Sequence, residues 1–194
     1  MRLSILETYI IILLLFNILI FSTPFIYLNN NNVGTGMYHF FSFFCHQITQ
    51  RSLCVYETSI ADCYNQNTKY ENNTKEIRVN NLIGKGIKFP VCSRDTAFFF
   101  SMLIGGIIIW IFNKNYNNPL PLWLFILIIL PLAIDGLTQI IGLRESTNTI
   151  RIITGFIAGF GMPFFIIGLL NKSKKTESNK KIKVKRKNKK ERGN

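Results

Sequence analysis

An all-α membrane protein is the fold class that this 194-residue sequence predicts. It would have four transmembrane helices, an interfacial helix and a long polar loop on the outer side, and both termini in the cytoplasm. Three observations predict it. Only 17% of the residues are charged, too few for a soluble domain. The apolar residues run in long blocks instead of recurring at core periodicity. The positive charge is also lopsided. Of a formal net charge of +13, most lies after Asn171, where twelve Lys and Arg face two Glu.

A span needs roughly 20 mostly apolar residues to cross about 30 Å of hydrocarbon. Ile5–Leu28, built on YIIILLLFNILIF, meets that length and makes residues 1–28 an anchor helix. A cleaved signal peptide is the alternative. Its flank holds only Arg2, and Ser22-Thr23-Pro24 is a poor cleavage sequence, which favours an uncleaved anchor. Thr96–Phe112 is the second span, short enough to need a few residues upstream. Leu120–Ile141 is the third and Ile150–Leu170 the fourth, so residues 96–170 form a three-helix bundle.

Lys and Arg mark the cytoplasmic side. The basic tail, 171–194, adjoins the fourth span and fixes the C-terminus there. Four crossings return the N-terminus to the same side. The link Asn113–Pro119, with Lys114, is then cytoplasmic, while 29–95 and Gly142–Thr149 face outward. The tail has almost nothing to bury and is expected to be disordered. It would lie on anionic lipid, each Lys or Arg near the surface adding about 1 kcal/mol. RNA or ribosome binding is the weaker reading of the tail, and no nucleic-acid partner is expected. Within 29–95, Met37–Gln47 is too short to span and reads as an interfacial helix. On such a helix His39 and His46 share a face. Tyr56–Asn81 reads as a polar surface loop. It carries Asn72-Asn73-Thr74, an acceptor pattern for N-glycosylation.

The reactive side chains concentrate in the outward segment. All four cysteines and both histidines lie there, with Arg51 and Arg94. Cysteines on an exported segment point to disulfides, and of three connectivities Cys54–Cys63 with Cys45–Cys92 is favoured. A metal site using Cys45, His46 and Cys92, or His39, is the alternative, although the spacings are not those of short C-x2-4-C zinc pairs. A redox-active pair would lack the usual C-x-x-C. Asp95 stands where an N-cap of the second span belongs.

Asp135 lies several residues inside the third span, where a carboxylate costs a few kcal/mol unless paired or hydrated. Gln139 is one turn further on the same face. Arg151, Arg94 or Arg144 would supply the partner. The pair either locks helices or belongs to a polar pocket open to the outside. In the pocket reading Asp135 is the candidate acid or base. Arg94, Arg144 and Arg151 hold an anionic group, Gln139 and Asn148 orient it, and Gln47 and Arg51 join from the outer segment. Gly155 and Gly159 form a small-x-x-x-small pattern for close helix packing, and Gly105-Gly106 offers another.

The set CHQ…RS, then FPVCSRD before a Gly-rich apolar helix, then DGLTQIIGLRES.N..R..TG resembles a family of small membrane proteins known as domain of unknown function 2085. The likeness covers about His39–Gly161. It implies that Cys45, His46, Gln47, Arg51, Ser52, Cys92, Arg94, Asp135, Gln139, Arg144, Ser146, Asn148, Arg151 and Gly155 are signature positions. Where many relatives look like Ala-Arg-Cys-Thr-Gly after the Cys92 position, this chain has Ser-Arg-Asp-Thr-Ala and one thiol fewer. The resemblance implies topology and no activity.

Three functions fit a multi-pass protein of the cell membrane with lipid as its first partner. The leading one is an outward-facing polar site that binds or acts on an anionic lipid-linked ligand. The others are a metal- or thiol-redox module, and a non-catalytic scaffold or transport component working as a homo-oligomer or with a membrane partner protein. No nucleotide-binding glycine loop and no Ser-His-Asp arrangement is present, and the sequence names no cofactor.

Overall fold

Ser4 starts the first helix by accepting from the Glu7 amide while the Glu7 carboxylate accepts from the Ser4 amide, a reciprocal cap ahead of an apolar run. The computed structural model describes residues 4–57, 59–63, 75–81, 83–112, 116–143 and 146–191. Four of its helices are long and apolar enough to cross a membrane: α1 (Ile5–Asn29), α3 (Ser93–Phe112), α4 (Leu122–Ile140) and the Asn148–Lys174 part of α5 (Asn148–Glu191). The four expected spans are therefore present, each shifted by a few residues at most.

The remaining short helix, α2 (Asn31–Ser42), differs from the interfacial helix expected over Met37–Gln47. Asn30 leaves the helical region and ends α1. Its side chain then accepts from the Asn32 and Val33 amides and starts α2 at once. Gly34 makes the tight hairpin possible, because a Cβ there would run into the Tyr27 backbone. His46 consequently lies beyond α2 and shares no helical face with His39.

A small antiparallel sheet replaces part of the expected polar loop. Its strands β1 (Leu53–Val55), β2 (Ile60–Asp62), β3 (Arg78–Asn81) and β4 (Gly84–Lys88) lie in the order β2-β1-β4-β3. Three- to five-residue strands carry no readable alternation, which is why the sequence reads as loop. The Cys54–Cys63 disulfide joins β1 to the residue after β2, and Tyr56 and Val79 pack around it. A second cluster of Ile20, Phe41, Phe89 and Val91, with Phe16 and Phe99 against it, seats this cap on the helices. The Asn72-Asn73-Thr74 pattern lies outside the described residues, as does Lys114.

Within the bundle α3 and α5 run parallel and in close contact. Gly155 lies against the Arg94 carbonyl and Gly159 against that of Phe98. Added Cβ atoms would fall inside those oxygens, so this seam depends on the glycines singled out in the sequence. At the far end Leu6, Ile109 and Ile167 close the core, and Asn171 donates to the Tyr116 carbonyl at 2.9 Å. Past that point α5 continues to Glu191, where a disordered tail was expected. The helix is already nucleated by its apolar half, and lysine propagates helix well.

Candidate functional site

Where the cap meets α3, α4 and α5, a cavity of about 170 Å³ is lined by Phe44, Cys45, His46, Gln47, Ile48, Arg51, Cys92, Arg94, Asp95, Gln139 and Arg151. Eight of these are residues that the sequence singled out for chemistry, drawn from four separate stretches of chain.

Each wall is set by a local cause. The chain leaves α2 and turns at Gln47, whose φ of 55 is unusual for a residue other than glycine. The turn is held from both sides. Gln47 Nε2 donates to the Tyr38 carbonyl, and Lys88 Nζ donates to the Gln47 carbonyl at 2.6 Å. Lys88 is fully buried, and burial pulls its ammonium down to about 8. The 3-10 turn Thr49–Arg51 follows and presents Arg51.

Helix α3 supplies the second wall. It begins at Ser93, with the Thr96 amide and hydroxyl both donating to the Cys92 carbonyl. Asp95 is therefore not the N-cap but a first-turn residue, and its carboxylate accepts from the Cys92 thiol at 3.0 Å. Ser93 donates to the Arg51 carbonyl at 3.1 Å and to Asn148 Oδ1 at 3.0 Å.

Asn148 was expected to orient a ligand, but its amide is engaged elsewhere. Its Oδ1 also accepts from Arg151 Nη1 at 2.9 Å, and its Nδ2 donates to the Gln50 carbonyl at 3.2 Å. It ties the start of α5 to the cap and does not line the cavity. Arg144 lies outside the described residues.

Among the described residues, Arg94 is the arginine that pairs with Asp135, its Nη2 donating to Asp135 Oδ2. Asp135 is only 5% exposed, and it is the one buried residue of α4. Arg151, 4% exposed, stands on the neighbouring helix. Among the described residues, three buried donors around this cavity have no acceptor: Arg94 Nε, Arg151 Nε and Gln139 Nε2. All three belong to cavity-lining side chains. Such groups cost about 1–3 kcal/mol each when left unpaired, more when charged.

The cysteines divide into two kinds. Cys54–Cys63 is bonded and lies in the sheet, away from the cavity. Cys45 and Cys92 are free thiols side by side, so the expected Cys45–Cys92 bond is not made. The Cys92 amide donates to Cys45 Sγ at 3.3 Å. Side-chain hydrogen bonding with its neighbouring thiol holds Cys45 below the ordinary thiol range and pushes Cys92 well above it. His39, on α2, is not among the lining residues. Asp95 and Lys88 are the residues that sequence reasoning missed. Asp95 was legible only as a cap, and nothing in the GKGIK segment marks Lys88 as buried.

Beside this cavity, an apolar groove of about 420 Å³ runs between α4 and α5. Leu127, Leu130, Ile134, Ile150 and Thr154 line it, and Asp135 lies at its wall.

The family model described as "Predicted membrane protein (DUF2085)" matches residues 76–165. That stretch holds the Cys92, Arg94, Asp95, Gln139 and Arg151 wall and leaves the Cys45–Arg51 wall outside. An uncharacterized protein of Methanocaldococcus jannaschii is 33% identical over 169 residues, covering 82% of this chain and 90% of that one. Another uncharacterized protein, from Methanothermobacter thermautotrophicus, is 37% identical over 78 residues, or 40% of this chain and 69% of the relative. No solved structure matches.

Proposed function

The chain belongs to the DUF2085 family of predicted membrane proteins, and on that premise we propose that its cavity binds the phosphate or carboxylate head of an anionic membrane lipid. The carrying observation is the set of three buried donors without acceptors among the described residues, Arg94 Nε, Arg151 Nε and Gln139 Nε2, around one small space. An oxyanion brings several acceptor lone pairs and negative charge to that space at once. Arg is the side chain best suited to receive it, because its planar fork matches carboxylate and phosphate geometry. Asp135 and Asp95 together neutralise only part of the charge of Arg51, Arg94 and Arg151, and the remainder favours an anion.

The groove between α4 and α5 supports a lipid over a free ion. An amphiphile would place its head among the arginines and its chain along Leu130 and Ile134. The site would face the side of the membrane opposite the lysine-rich end of α5. Asp135, through Arg94, fixes the guanidinium and is the candidate acid or base if chemistry follows binding.

Native mass spectrometry of the protein released from nanodiscs tests this with phosphatidic acid, a neutral lipid, and free phosphate as three arms. Wild type should retain phosphatidic acid. Arg151→Gln and Gln139→Leu should each retain about tenfold less, the loss expected for one hydrogen bond to a charged group. Equal retention of the neutral lipid, or variants that hold phosphatidic acid like wild type, would remove the proposal. Free phosphate competing fully would keep the anion and discard the lipid.

A further inference from the structure

We propose that Cys45, Cys92 and Asp95 form a binding site for a thiophilic divalent cation, zinc foremost, in the wall of the arginine cavity. Their ligand atoms all lie within 4.8 Å of one another, although Cys45 and Cys92 come from segments 47 residues apart. The Cys92 sulfur is 3.0 Å from the Asp95 carboxylate. Zinc takes thiolate sulfur at about 2.3 Å and carboxylate oxygen at about 2.0–2.2 Å, so small side-chain rotations bring this set onto one ion. Two thiolates with a carboxylate favour zinc over magnesium or calcium, which prefer oxygen donors alone.

The surroundings fit a sulfur that carries charge. Cys45 Sγ accepts the Cys92 amide at 3.3 Å. The left-handed conformation at Gln47 belongs to the same turn. Backbone donors of this kind orient and stabilise a metal-bound thiolate.

Charge balance points the same way. Binding releases the two thiol protons, so two thiolates, one carboxylate and a divalent ion sum to one negative charge. That charge faces Arg51, Arg94 and Arg151 across the cavity. Three protein ligands leave one tetrahedral position, which His46 or a cavity water would take. This site does not depend on the lipid proposal, since it uses a different set of atoms.

Cys45–Cys92 disulfide formation is the competing fate of the same thiols. Elemental analysis of protein purified without chelator, combined with alkylation and peptide mass mapping, separates the two. The expected result is stoichiometric zinc, with Cys45 and Cys92 alkylated only after a chelator is added. Asp95→Asn should weaken zinc binding by roughly tenfold or more. Cobalt added to the chelator-treated wild type should give thiolate-to-metal charge-transfer absorption, a readout that needs no variant. Arg151→Gln should keep its zinc while losing lipid, so the two proposals fail separately. A mapped Cys45–Cys92 disulfide, or freely alkylated thiols without metal and without a cobalt spectrum, would overturn the site.

Discussion

Helix α5 treats its two main neighbours, α3 and α4, differently. Toward α3 it presents Gly155 and Gly159, and backbone meets backbone. Toward α4 it presents Gly161, against which the Ile128 side chain rests, while Phe125 and Phe165 stack at 4.0 Å. The residues of α4 are exposed or half-buried, with Asp135 its single buried one. The contrast separates two ways of assembling helices in a membrane. One removes side chains until dispersion between backbones suffices. The other leaves the faces apart, joins them through a charged pair to a third helix, and keeps a groove between them.

The α3–α5 seam is most sensitive at Gly159. A methyl group there meets Ser101 Oγ and the Phe98 carbonyl, and the carbonyl, being backbone, cannot move without shifting α3. Gly159→Ala should lose about 3 kcal/mol, the upper end of the usual overpacking range, in reversible denaturant unfolding from mixed micelles. Wild-type stability in that variant would mean that α3 and α5 do not touch through backbone.

The charged pair should show a smaller effect. Asp135→Asn keeps an acceptor for Arg94 but removes its charge, and about 2 kcal/mol of stability should go with it. Arg94→Gln should cost a similar amount, and the double variant little more than either alone, because both report one interaction. Strict additivity would show that α4 is held by something else.

Gly161→Ala should be nearly silent, within about 0.5 kcal/mol. Its new methyl would lie 2.7 Å from Ile128 Cγ2, a side-chain end on a loosely packed helix that can rotate away. A loss equal to that of Gly159→Ala would erase the distinction between the two seams.

Much of the bundle was legible in the sequence, including its tightest contact. GFIAG announced close packing, and α3 is the helix that takes it. Asp135 was legible as a buried carboxylate because so few charges interrupt the spans. Its partner was not, since Arg94, Arg144 and Arg151 all lie near the same end of the bundle in sequence terms. The β-sheet was hidden because β1 to β4 are too short to show a period and depend on Cys54–Cys63 and the aromatic seat for their order. The structural tie made by Asn148 was hidden for a related reason. A buried amide bonded to Gln50, Ser52, Ser93 and Arg151 reads in sequence like one free to hold a ligand.

By itself, then, the sequence determined how many helices are long and apolar enough to cross a membrane and, to within a few residues, where each apolar span lies. Hydrocarbon thickness sets the length of a span, and the absence of water forces its backbone to bond internally, so each helix is specified by its own residues. Tertiary structure alone decided that Arg94 meets Asp135, and that Cys45 reaches Cys92 and Asp95. It also brought Arg51, Gln139 and Arg151 to one cavity. Those meetings join residues dozens of positions apart, and only the packing of α3 on α5 and the docking of the cap bring them within reach.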